Sequence, residues 1–536
     1  MTAKLLTGTG VCVAVVALTA ALAVYQLRPP DAAPPDAPPA EFSSVRAMRH
    51  VEVIAREPHP VGSAAHEQVR QYILGELSAL GLAAEAQEAN GVRNILVRLE
   101  GSEPGKAVLL VAHYDSVKGS PGAADDGSAV AALLETLRAL RAGARLRNEV
   151  VCLFTDAEEV GLKGAEAFVY ARPRAADAGL VLNFDARGNG GPALMFETSR
   201  DNGWLVEQFA RASTHPRATS LSYDIYKLLG NDTDFTVFKE AGIAGLNFAL
   251  VEGGGSYHSA RDTSENLDRR SLQHQGSTAL ALARHFGGLD LTKVRSEGDA
   301  VFFNLVGYGL VFYPQKWAAP IAAVSALAFV VLIALGRRKG RVTVYGAAKG
   351  FAACVLNVVA VLVVLWLAGA AAGQRGGNVQ TLLMVALAAA SAACFHVWLG
   401  RALRPGAGGM LAGGLACWLA LALATSLFLT GGSYLFVWPL LCGLAASAYL
   451  WSFGPGRGAW AGRLIALTAC AVPAAALPAP LVYLSLKTFT AGSALSAVVV
   501  AVPVVLVTSL LAPQLAAAPP HEVPSGSVGG YAATHV

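Results

Sequence analysis

A long acid-free stretch is the feature that most constrains this chain. Residues 301–521 contain no Asp or Glu, although the chain of 536 residues has 37 of them. The stretch divides into apolar blocks of about 20 residues, the length that a helix needs to cross a bilayer. A charge at the bilayer centre costs roughly 2.5–3.5 kcal/mol on insertion scales. The pattern therefore predicts a multi-span α-helical membrane domain, with a lipid bilayer as one partner.

The membrane domain is predicted to cover residues 298–515 with about seven helices, and a flexible tail is predicted over residues 516–536. The apolar segment 301–314 is assigned to the membrane interface instead of to a span. The spans are expected at residues 318–335, 350–373, 379–399, 409–430, 434–453, 464–486 and 491–512.

The N-terminal residues are also apolar. Residues 5–27 carry no charge and are long enough to cross a bilayer, which predicts a transmembrane anchor over residues 1–28. A cleaved signal peptide is the alternative, because residues 21–23 (ALA) resemble a cleavage site, but signal peptides have shorter apolar regions of roughly 7–15 residues. The Pro-rich residues 29–40 are predicted to form a stiff, extended linker.

The middle of the chain has the composition of a soluble domain. Of the 37 acids, 36 lie between Asp31 and Asp299, whereas residues 28–300 contain only 28 of the 41 lysines and arginines. This acidic balance excludes nucleic-acid binding as the main role. Only one of the seven cysteines, Cys152, lies in this part, so no disulfide framework can stabilise it. The domain must therefore fold around one large hydrophobic core.

Short β-rich runs alternate with helical patterns between residues 41 and 297. Continuous apolar strands separated by helices are typical of a three-layer α/β/α sandwich with a mixed, largely parallel sheet. Ligand sites in such folds lie at the carboxyl ends of the strands. The predicted strands are residues 94–99, 107–112, 149–154, 179–184, 193–196 and 245–250.

Positive charges are distributed unevenly between the two sides that the spans define. If Lys4 is cytoplasmic, nine further lysines and arginines share its side, whereas the short loops of the other side contain only Arg375 and Lys487. The positive-inside rule then predicts an α/β domain outside the cytoplasm, in a periplasm, lumen or vacuole. The nine residues are Arg337, Arg338, Lys339, Arg341, Lys349, Arg401, Arg404, Arg457 and Arg463.

Polar side chains stand at the ends of several predicted strands, where a packed core has no need of them. Histidine and carboxylate groups are ligands of borderline hard divalent ions such as zinc. Two histidines and three carboxylates suffice for two ions about 3.5–4 Å apart if one carboxylate bridges them and water completes each shell. An adjacent pair of glutamates suits a division between metal ligand and proton acceptor. The residues are His113, Asp115, Asp125, Asp126, Glu158, Glu159, Asp185, Tyr257 and His258.

Seven short motifs resemble the co-catalytic zinc exopeptidases of metallopeptidase family twenty-eight, the aminopeptidase Y type. The NDTDF sequence and the acid-free tail are most similar to the membrane-bound branch, the vacuolar membrane proteases and endoplasmic reticulum metallopeptidases. The resemblance covers the α/β domain, while the tail is similar in plan only. The motifs are HPVGS (59–63), HYDS (113–116), PGAADDGSAVA (121–131), TDAEEVGLKGA (155–165), NFDARG (183–188), NDTDFTVFKEAGI (231–243) and YHSARDT (257–263).

The resemblance implies a pair of zinc ions (Zn²⁺) in each chain. Asp125 would be the carboxylate that bridges the two ions. His113 and Asp185 would complete one zinc site, and Glu159 and His258 would complete the other. The resemblance also implies the α/β/α fold with a mixed sheet.

Three catalytic roles follow from the same resemblance. Glu158 would be the general base, which takes a proton from the attacking water and passes it to the leaving amine. Tyr257 would donate a hydrogen bond to the developing oxyanion. Asp115 would orient the imidazole of His113. Taken singly, each site residue has an ordinary explanation, such as a core histidine or a helix N-cap, but together the motifs favour catalysis.

The implied function is a membrane-anchored di-zinc metallopeptidase, an aminopeptidase that cleaves N-terminal bonds of peptide substrates. One alternative is a glutaminyl cyclase-like acyltransferase with a single zinc ion, and another is a peptide-binding or transport-associated membrane protein. The sequence leaves the oligomeric state open, as well as exopeptidase or endopeptidase action. The histidines outside the motifs are expected at the surface: His50, His66, His215, His274 and His285.

Overall fold

The chain forms an α/β domain and a membrane domain. The predicted tail over residues 516–536 lies outside the described residues, and so do Arg375 and Arg457 from the positive-charge count. The computed structural model describes residues 2–89, 91–170, 177–293, 298–372, 378–452, 459–489 and 493–515.

Seven strands of the α/β domain form one mixed sheet, in the order β1-β2-β4-β3-β5-β7-β6. The central strands β4, β3, β5 and β7 run parallel, while the pairs β1–β2, β2–β4 and β7–β6 are antiparallel. The six predicted strands are present; β1 was not predicted, because its sequence AEAQEA has the polar composition of a sheet edge. The strands are β1 (Ala84–Ala89), β2 (Val92–Leu99), β3 (Ala107–His113), β4 (Val150–Thr155), β5 (Ala178–Ala186), β6 (Gly190–Thr198) and β7 (Gly245–Glu252).

Helices cover both faces of the sheet, which explains why its central strands are continuous apolar runs. Leu110 and Ala112 of β3 pack in the cluster that includes α2, α4 and α9, whereas Leu109 and Val111 pack with α5 and α8 on the other face. The predicted three-layer α/β/α sandwich is confirmed. The helices are α2 (Ser44–Ile54), α3 (Ala64–Ala79), α4 (Gly127–Arg141), α5 (Lys163–Tyr170), α6 (Gly203–Ala212), α7 (Ser220–Leu229), α8 (Asp234–Glu240) and α9 (Arg269–Gly288).

A glycine in α9 leaves room for the aromatic ring of Phe42. A Cβ atom on Gly276 would lie 2.0 Å from Cε2 and Cζ of that buried ring. We expect Gly276→Ala to destabilise the domain by about 1–3 kcal/mol through overpacking, measured as a lower Tm of the purified protein. Gly288→Ala, in the same helix, is the matched control, since nothing lies within 4 Å of its Cβ position. Equal Tm values for the two variants would contradict this account of the packing.

The Pro-rich residues 29–40 lie against the α/β domain. Arg46 donates from Nη1 to the carbonyl oxygen of Pro35 (2.8 Å), and Arg138 donates from Nη1 to that of Pro39 (2.6 Å). The prediction of an extended spacer is therefore wrong: the two arginines bind the carbonyl groups of this segment and fix it to α2 and α4.

Seven stretches of the described chain are helical, long and apolar enough to cross a membrane, which confirms the predicted number of spans after residue 300. They are Gln315–Arg338, Val344–Ala371, Val379–Leu403, Gly406–Phe428, Tyr434–Ser452, Thr468–Thr488 and Ala494–Leu511. They belong to α10 (Ala318–Arg338), α11 (Val344–Ala372), α12 (Asn378–Leu403), α13 (Gly406–Phe428), α14 (Tyr434–Ser452), α15 (Ala459–Ala476), α16 (Ala479–Thr488) and α17 (Ala494–Leu515).

The N-terminal helix α1 (Thr2–Tyr25) packs beside these helices. Its apolar part within the described residues, Gly10–Tyr25, is shorter than the seven spans. Cys12 of α1 is buried in one cluster with Ala471 of α15 and Leu511 of α17. The helix predicted as an anchor is thus in contact with α15 and α17 of the membrane domain.

The segment assigned to the membrane interface forms a hairpin. Its strands are β8 (Ala300–Leu305) and β9 (Gly309–Pro314), which pair antiparallel. Phe302 belongs to the core of the α/β domain, and the ring of Phe303 stacks on that of Tyr434 in α14 at 4.3 Å between centroids. The hairpin therefore joins the two domains.

Hydrogen bonds fix the α/β domain on one end of the membrane helices. Thr219 and Tyr434 share a hydrogen bond between their hydroxyl groups (2.8 Å), and the Tyr483 hydroxyl donates to Glu252 Oε2 (2.9 Å). Thr488, at the end of α16, donates from Oγ1 to the carbonyl oxygen of Val251 (2.8 Å). These contacts lie at the start of α14 and the end of α16, so both helices present one end to the α/β domain.

Candidate metal centre

The sheet topology brings the predicted site residues to one edge. His113 is the last residue of β3 and pairs with Thr155, the last residue of β4, so the Glu158–Glu159 turn lies next to it. Asp185 lies near the carboxyl end of β5, the other parallel neighbour of β3. The carboxyl ends of parallel strands share one edge, which explains why residues far apart in the chain meet there.

Asp125 occupies the centre of this group. Its Oδ1 atom lies 3.2 Å from Nε2 of His113, and its Oδ2 atom lies 3.2 Å from Nε2 of His258. Nε2 of His258 is also 3.1 Å from Oε2 of Glu159, and Nε2 of His113 is 4.0 Å from Oδ1 of Asp185. Each oxygen of one aspartate thus faces one histidine, and each histidine faces one further carboxylate.

Three of these residues form a compact group of possible metal ligands. One ligand atom from each of His113, Asp125 and Glu159 lies within 4.8 Å of the others. The Oε1 atom of Glu159 is buried and has no hydrogen-bond partner in the described part of the chain. An unpaired buried carboxylate oxygen is costly, so this arrangement favours a bound cation.

Burial and mutual repulsion shape the electrostatics of the group. Burial, together with Asp125, raises the pKa of Asp185 to about 7. Burial also raises the pKa of Glu158 well above its usual value. For His258, burial opposes the charged form, but its hydrogen bonds to Asp125 and Glu159 raise the pKa to about 10. The group carries more negative charge than its histidines can balance, and a cation would relieve this excess.

Asp115 forms hydrogen bonds with His113 and with the Glu158–Glu159 pair. Its carbonyl oxygen accepts a hydrogen bond from Nδ1 of His113 (3.0 Å), which leaves Nε2 of the ring on the side of Asp125. Its carboxylate accepts hydrogen bonds from the backbone N–H groups of Glu158 (3.0 Å) and Glu159 (3.2 Å). One aspartate thereby orients the imidazole through its backbone and the glutamate pair through its side chain.

Glu158 and Tyr257 face the cavity in front of this group. The ring of Tyr257 stacks on that of His258, with 3.7 Å between centroids, and the guanidinium group of Arg187 lies 5.1 Å from the Tyr257 ring. Burial raises the pKa of Tyr257, so its hydroxyl remains a hydrogen-bond donor. Neither residue is among the three grouped ligands.

Two aspartates position the backbone around Asp125, and sequence reasoning assigned neither of them a role. Asp262 is buried and accepts hydrogen bonds from the N–H groups of Ala124 (2.8 Å) and Asp125 (3.2 Å). Asp126, joined to Asp125 by a cis peptide bond, accepts from the N–H of His113 (3.1 Å). Asp262 belongs to the YHSARDT motif, so the sequence did mark this residue. Its hydrogen-bond partners are backbone N–H groups, which every residue type except proline has, so the sequence did not reveal its role.

Several other polar residues of the α/β domain are also buried. His66 is buried, lies 3.0 Å from Asp156 and stacks on Tyr114. His274 is also buried, and its Nδ1 accepts from the N–H of Ala193. The expectation that these two histidines lie at the surface is wrong, because each has a buried polar partner. Asp234, of the NDTDF motif, accepts a hydrogen bond from Thr155 at the end of β4.

Comparison with known proteins shows which family this part of the chain resembles. Residues 94–283 match the model of peptidase family M28. Endoplasmic reticulum metallopeptidase 1 of Rattus norvegicus is 31% identical over 332 residues, which cover 56% of this chain and 37% of that protein. A vacuolar membrane protease of Candida dubliniensis is 31% identical over 301 residues, which cover 52% of this chain and 31% of that protein. The aligned part is thus about a third of the length of these relatives.

Among solved structures, a zinc aminopeptidase from Bacillus subtilis aligns with a TM-score of 0.39 and 16% identity, covering 48% of this chain and 98% of that one. The family match includes the strands that carry His113 and Asp185 and the turn that carries the glutamate pair. Residues 94–283 are therefore similar to peptidase family M28, and the described chain after them has seven helical stretches long and apolar enough to cross a membrane.

Proposed function

We propose that this chain is a zinc-dependent metallopeptidase that cleaves peptides next to the membrane in which it is anchored. The observation that supports this most directly is the placement of Asp125 between two histidines, each with a further carboxylate beside it. The relatives named metallopeptidase and protease are consistent with the same activity. An aminopeptidase is the form of the activity that the motifs favour.

The donor set fits a pair of zinc ions. Imidazole nitrogen and carboxylate oxygen are ordinary zinc ligands, and the buried Glu159 Oε1 has no other partner among the described residues. His113 and Asp185 would hold one ion, Glu159 and His258 the other, and Asp125 both. When bound, the ions supply a polarised scissile carbonyl and a water molecule of lowered pKa.

The chain's own residues then have separate tasks. Glu158 accepts the proton of the attacking water and returns it to the leaving amine, a task suited to a carboxyl whose pKa is raised by burial. The hydroxyl of Tyr257 donates a hydrogen bond to the carbonyl oxygen as negative charge develops on it. Asp115 keeps the backbone of Glu158 fixed while the proton moves.

We place the peptidase domain outside the cytoplasm. The domain contacts the start of α14 and the end of α16, whereas Arg401, near the end of α12, and Arg404, which follows α12, precede the opposite end of the neighbouring helix α13. Positive residues favour the cytoplasmic side, which leaves the peptidase domain on the periplasmic or lumenal side. Protease protection of the domain in sealed vesicles of known orientation tests this placement.

The activity is tested with the full chain purified in detergent. We expect hydrolysis of aminoacyl substrates that stops with a zinc chelator and returns when zinc is added. Mass spectrometry of a digested peptide mixture shows whether single residues are removed from the N-terminus. Release of ammonia from peptides with N-terminal Gln, without hydrolysis, would instead support the glutaminyl cyclase alternative. Binding of peptides without any turnover would support a transport-associated role.

Asp262 gives a prediction about the support of the bridging aspartate. Asp262→Asn removes one acceptor oxygen from the two N–H groups at Ala124 and Asp125, and Asp262→Ala removes both. We expect the affinity for zinc to fall by about 10–100-fold, with a larger loss in the Ala variant. Competition with a zinc-sensitive dye measures the affinity independently of activity. Unchanged affinity in both variants would show that the bridge does not need this support.

A further inference from the structure

A cavity of about 860 Å³ connects the candidate metal centre to the membrane domain. At one end its wall contains Asp125, Glu158, Glu159 and Asp185. At the other end the wall comes from the membrane helices α13, α14, α16 and α17. The volume is in the upper part of the usual range for ligand sites, roughly 300–1,000 Å³. The membrane domain is thus part of the site as well as its anchor.

The part of the wall that comes from the membrane helices offers a ligand almost only apolar contacts. It contains no charged side chain among the described residues, and Leu421, Phe436 and Val499 are typical members. The hydroxyl groups in this part of the wall belong to Thr425, Ser485 and Thr488. Each already donates a hydrogen bond to a backbone carbonyl oxygen at 2.7–2.9 Å. A polar peptide would lose its water here without gaining partners, which is unfavourable.

Charged groups of the cavity are confined to the peptidase domain. Apart from the carboxylates of the metal group, the charged residues that the structure describes in the wall are Arg187 and Asp232. In the part of the wall that comes from β6 and α7, the apolar residues Phe196, Leu221 and Ile225 lie beside the hydroxyl-bearing Ser222 and Tyr226. The cavity therefore changes from charged to apolar along the direction from the metal centre to the membrane helices.

Exposed apolar side chains lie at and beside the apolar end of the cavity. Val498 of α17 lines the cavity and is 45% exposed. Phe428, at the end of α13, is 86% exposed and directly precedes Leu429, another residue of the wall. Large exposed apolar side chains on a membrane helix are expected where the helix meets lipid. The apolar end of the cavity therefore lies close to side chains that are expected to meet lipid.

We propose that the substrate is a peptide with a run of apolar residues beside the scissile amide, and that the membrane helices bind this run. The inference rests on the proposed peptidase function and adds the class of substrate to it. The apolar residues lie among α13, α16 and α17, and the amide lies at the metal group. Binding energy from this run, which is remote from the reacting bond, holds the amide in position for attack.

The test uses the full chain in lipid nanodiscs and two synthetic peptides. Both have the same N-terminal residue and the same polar C-terminal tail, and they differ in four residues between these parts, Leu and Val in one and Ser and Gln in the other. We expect kcat/KM to be at least about tenfold higher for the apolar peptide. A short aminoacyl p-nitroanilide reports in parallel whether the centre is active.

Two variants locate the effect. Leu421→Trp fills the apolar end of the cavity and is expected to reduce the ratio of the two kcat/KM values towards one. Leu427→Trp is the matched control on the same helix, because Leu427 is 64% exposed and lies outside the cavity wall; its ratio should stay at the original value. The comparison of the two peptides on the unchanged chain does not depend on the folding of either variant.

Each result has one meaning. Equal kcat/KM for the two peptides, with zinc-dependent hydrolysis of both, would overturn the inference and leave the peptidase function in place. A preference for the apolar peptide that Leu421→Trp does not reduce, in a variant that still hydrolyses the p-nitroanilide, would also overturn it. No zinc-dependent hydrolysis of any of the three substrates would overturn the proposed function itself.

Discussion

Asp125→Ala is expected to abolish zinc binding and activity together. The carboxylate of Asp125 is the only group that faces both His113 and His258 within 3.2 Å in the described residues, so its removal leaves the Nε2 atom of each histidine with one carboxylate partner. We expect the zinc content of the purified protein to fall towards zero and kcat/KM to fall by at least about four orders of magnitude, because the polarised carbonyl and the activated water are lost together.

Elemental analysis of the purified variant measures the zinc content, and hydrolysis of an aminoacyl substrate measures the activity. Asp177→Ala is the control, since Asp177 is exposed and directly precedes β5. It should retain both properties. An Asp125→Ala protein that keeps its zinc and its turnover would contradict the bridging role and with it the proposed centre.

Glu158→Gln is expected to separate metal binding from turnover. Glu158 is not among the three grouped ligands, and its neighbour Glu159 contacts His258 at 3.1 Å. The amide retains the size of the carboxylate and cannot accept a proton from water. We therefore expect an unchanged zinc content and a loss of about 10²–10⁴-fold in kcat, the usual contribution of a general base.

The matched control is Glu166→Gln, because Glu166 is an exposed residue of α5, the helix that follows the glutamate pair. It should behave as the unchanged chain in both measurements. Near-normal turnover of Glu158→Gln at full zinc content would remove Glu158 from the mechanism. Loss of zinc in this variant would make it a ligand instead of a base.

The fold and the residues of the site were largely predictable because they depend on the types of residue and on strand order. His113 and Asp185 end apolar runs that could only be buried parallel strands, and the carboxyl ends of such strands share an edge. The polar edge strand β1 was missed for the opposite reason, since an edge strand needs no apolar run. The absence of acids over residues 301–521 predicted the spans directly.

Contacts to the backbone were not predictable. Asp262 binds N–H groups that lie 138 and 137 residues away along the chain, and any residue type supplies such groups. The same is true of Arg46 and Arg138, whose carbonyl partners turn the Pro-rich segment from a spacer into part of the domain. The cavity shared by both domains depends on how the domains are placed, which no local pattern contains.

The docked Pro-rich segment makes the distance between the reaction centre and the bilayer a fixed quantity. At its N-terminal end the α/β domain is connected to the membrane through α1 and this segment, and at its C-terminal end through the hairpin and α10. Because the segment and the hairpin both pack against the domain, neither connection lets the domain move away from the membrane helices. Under the proposed function, only a peptide bond at that height above the lipid can be cleaved. Substrates would then be selected by the distance of their peptide bond from the bilayer before any of their side chains is recognised.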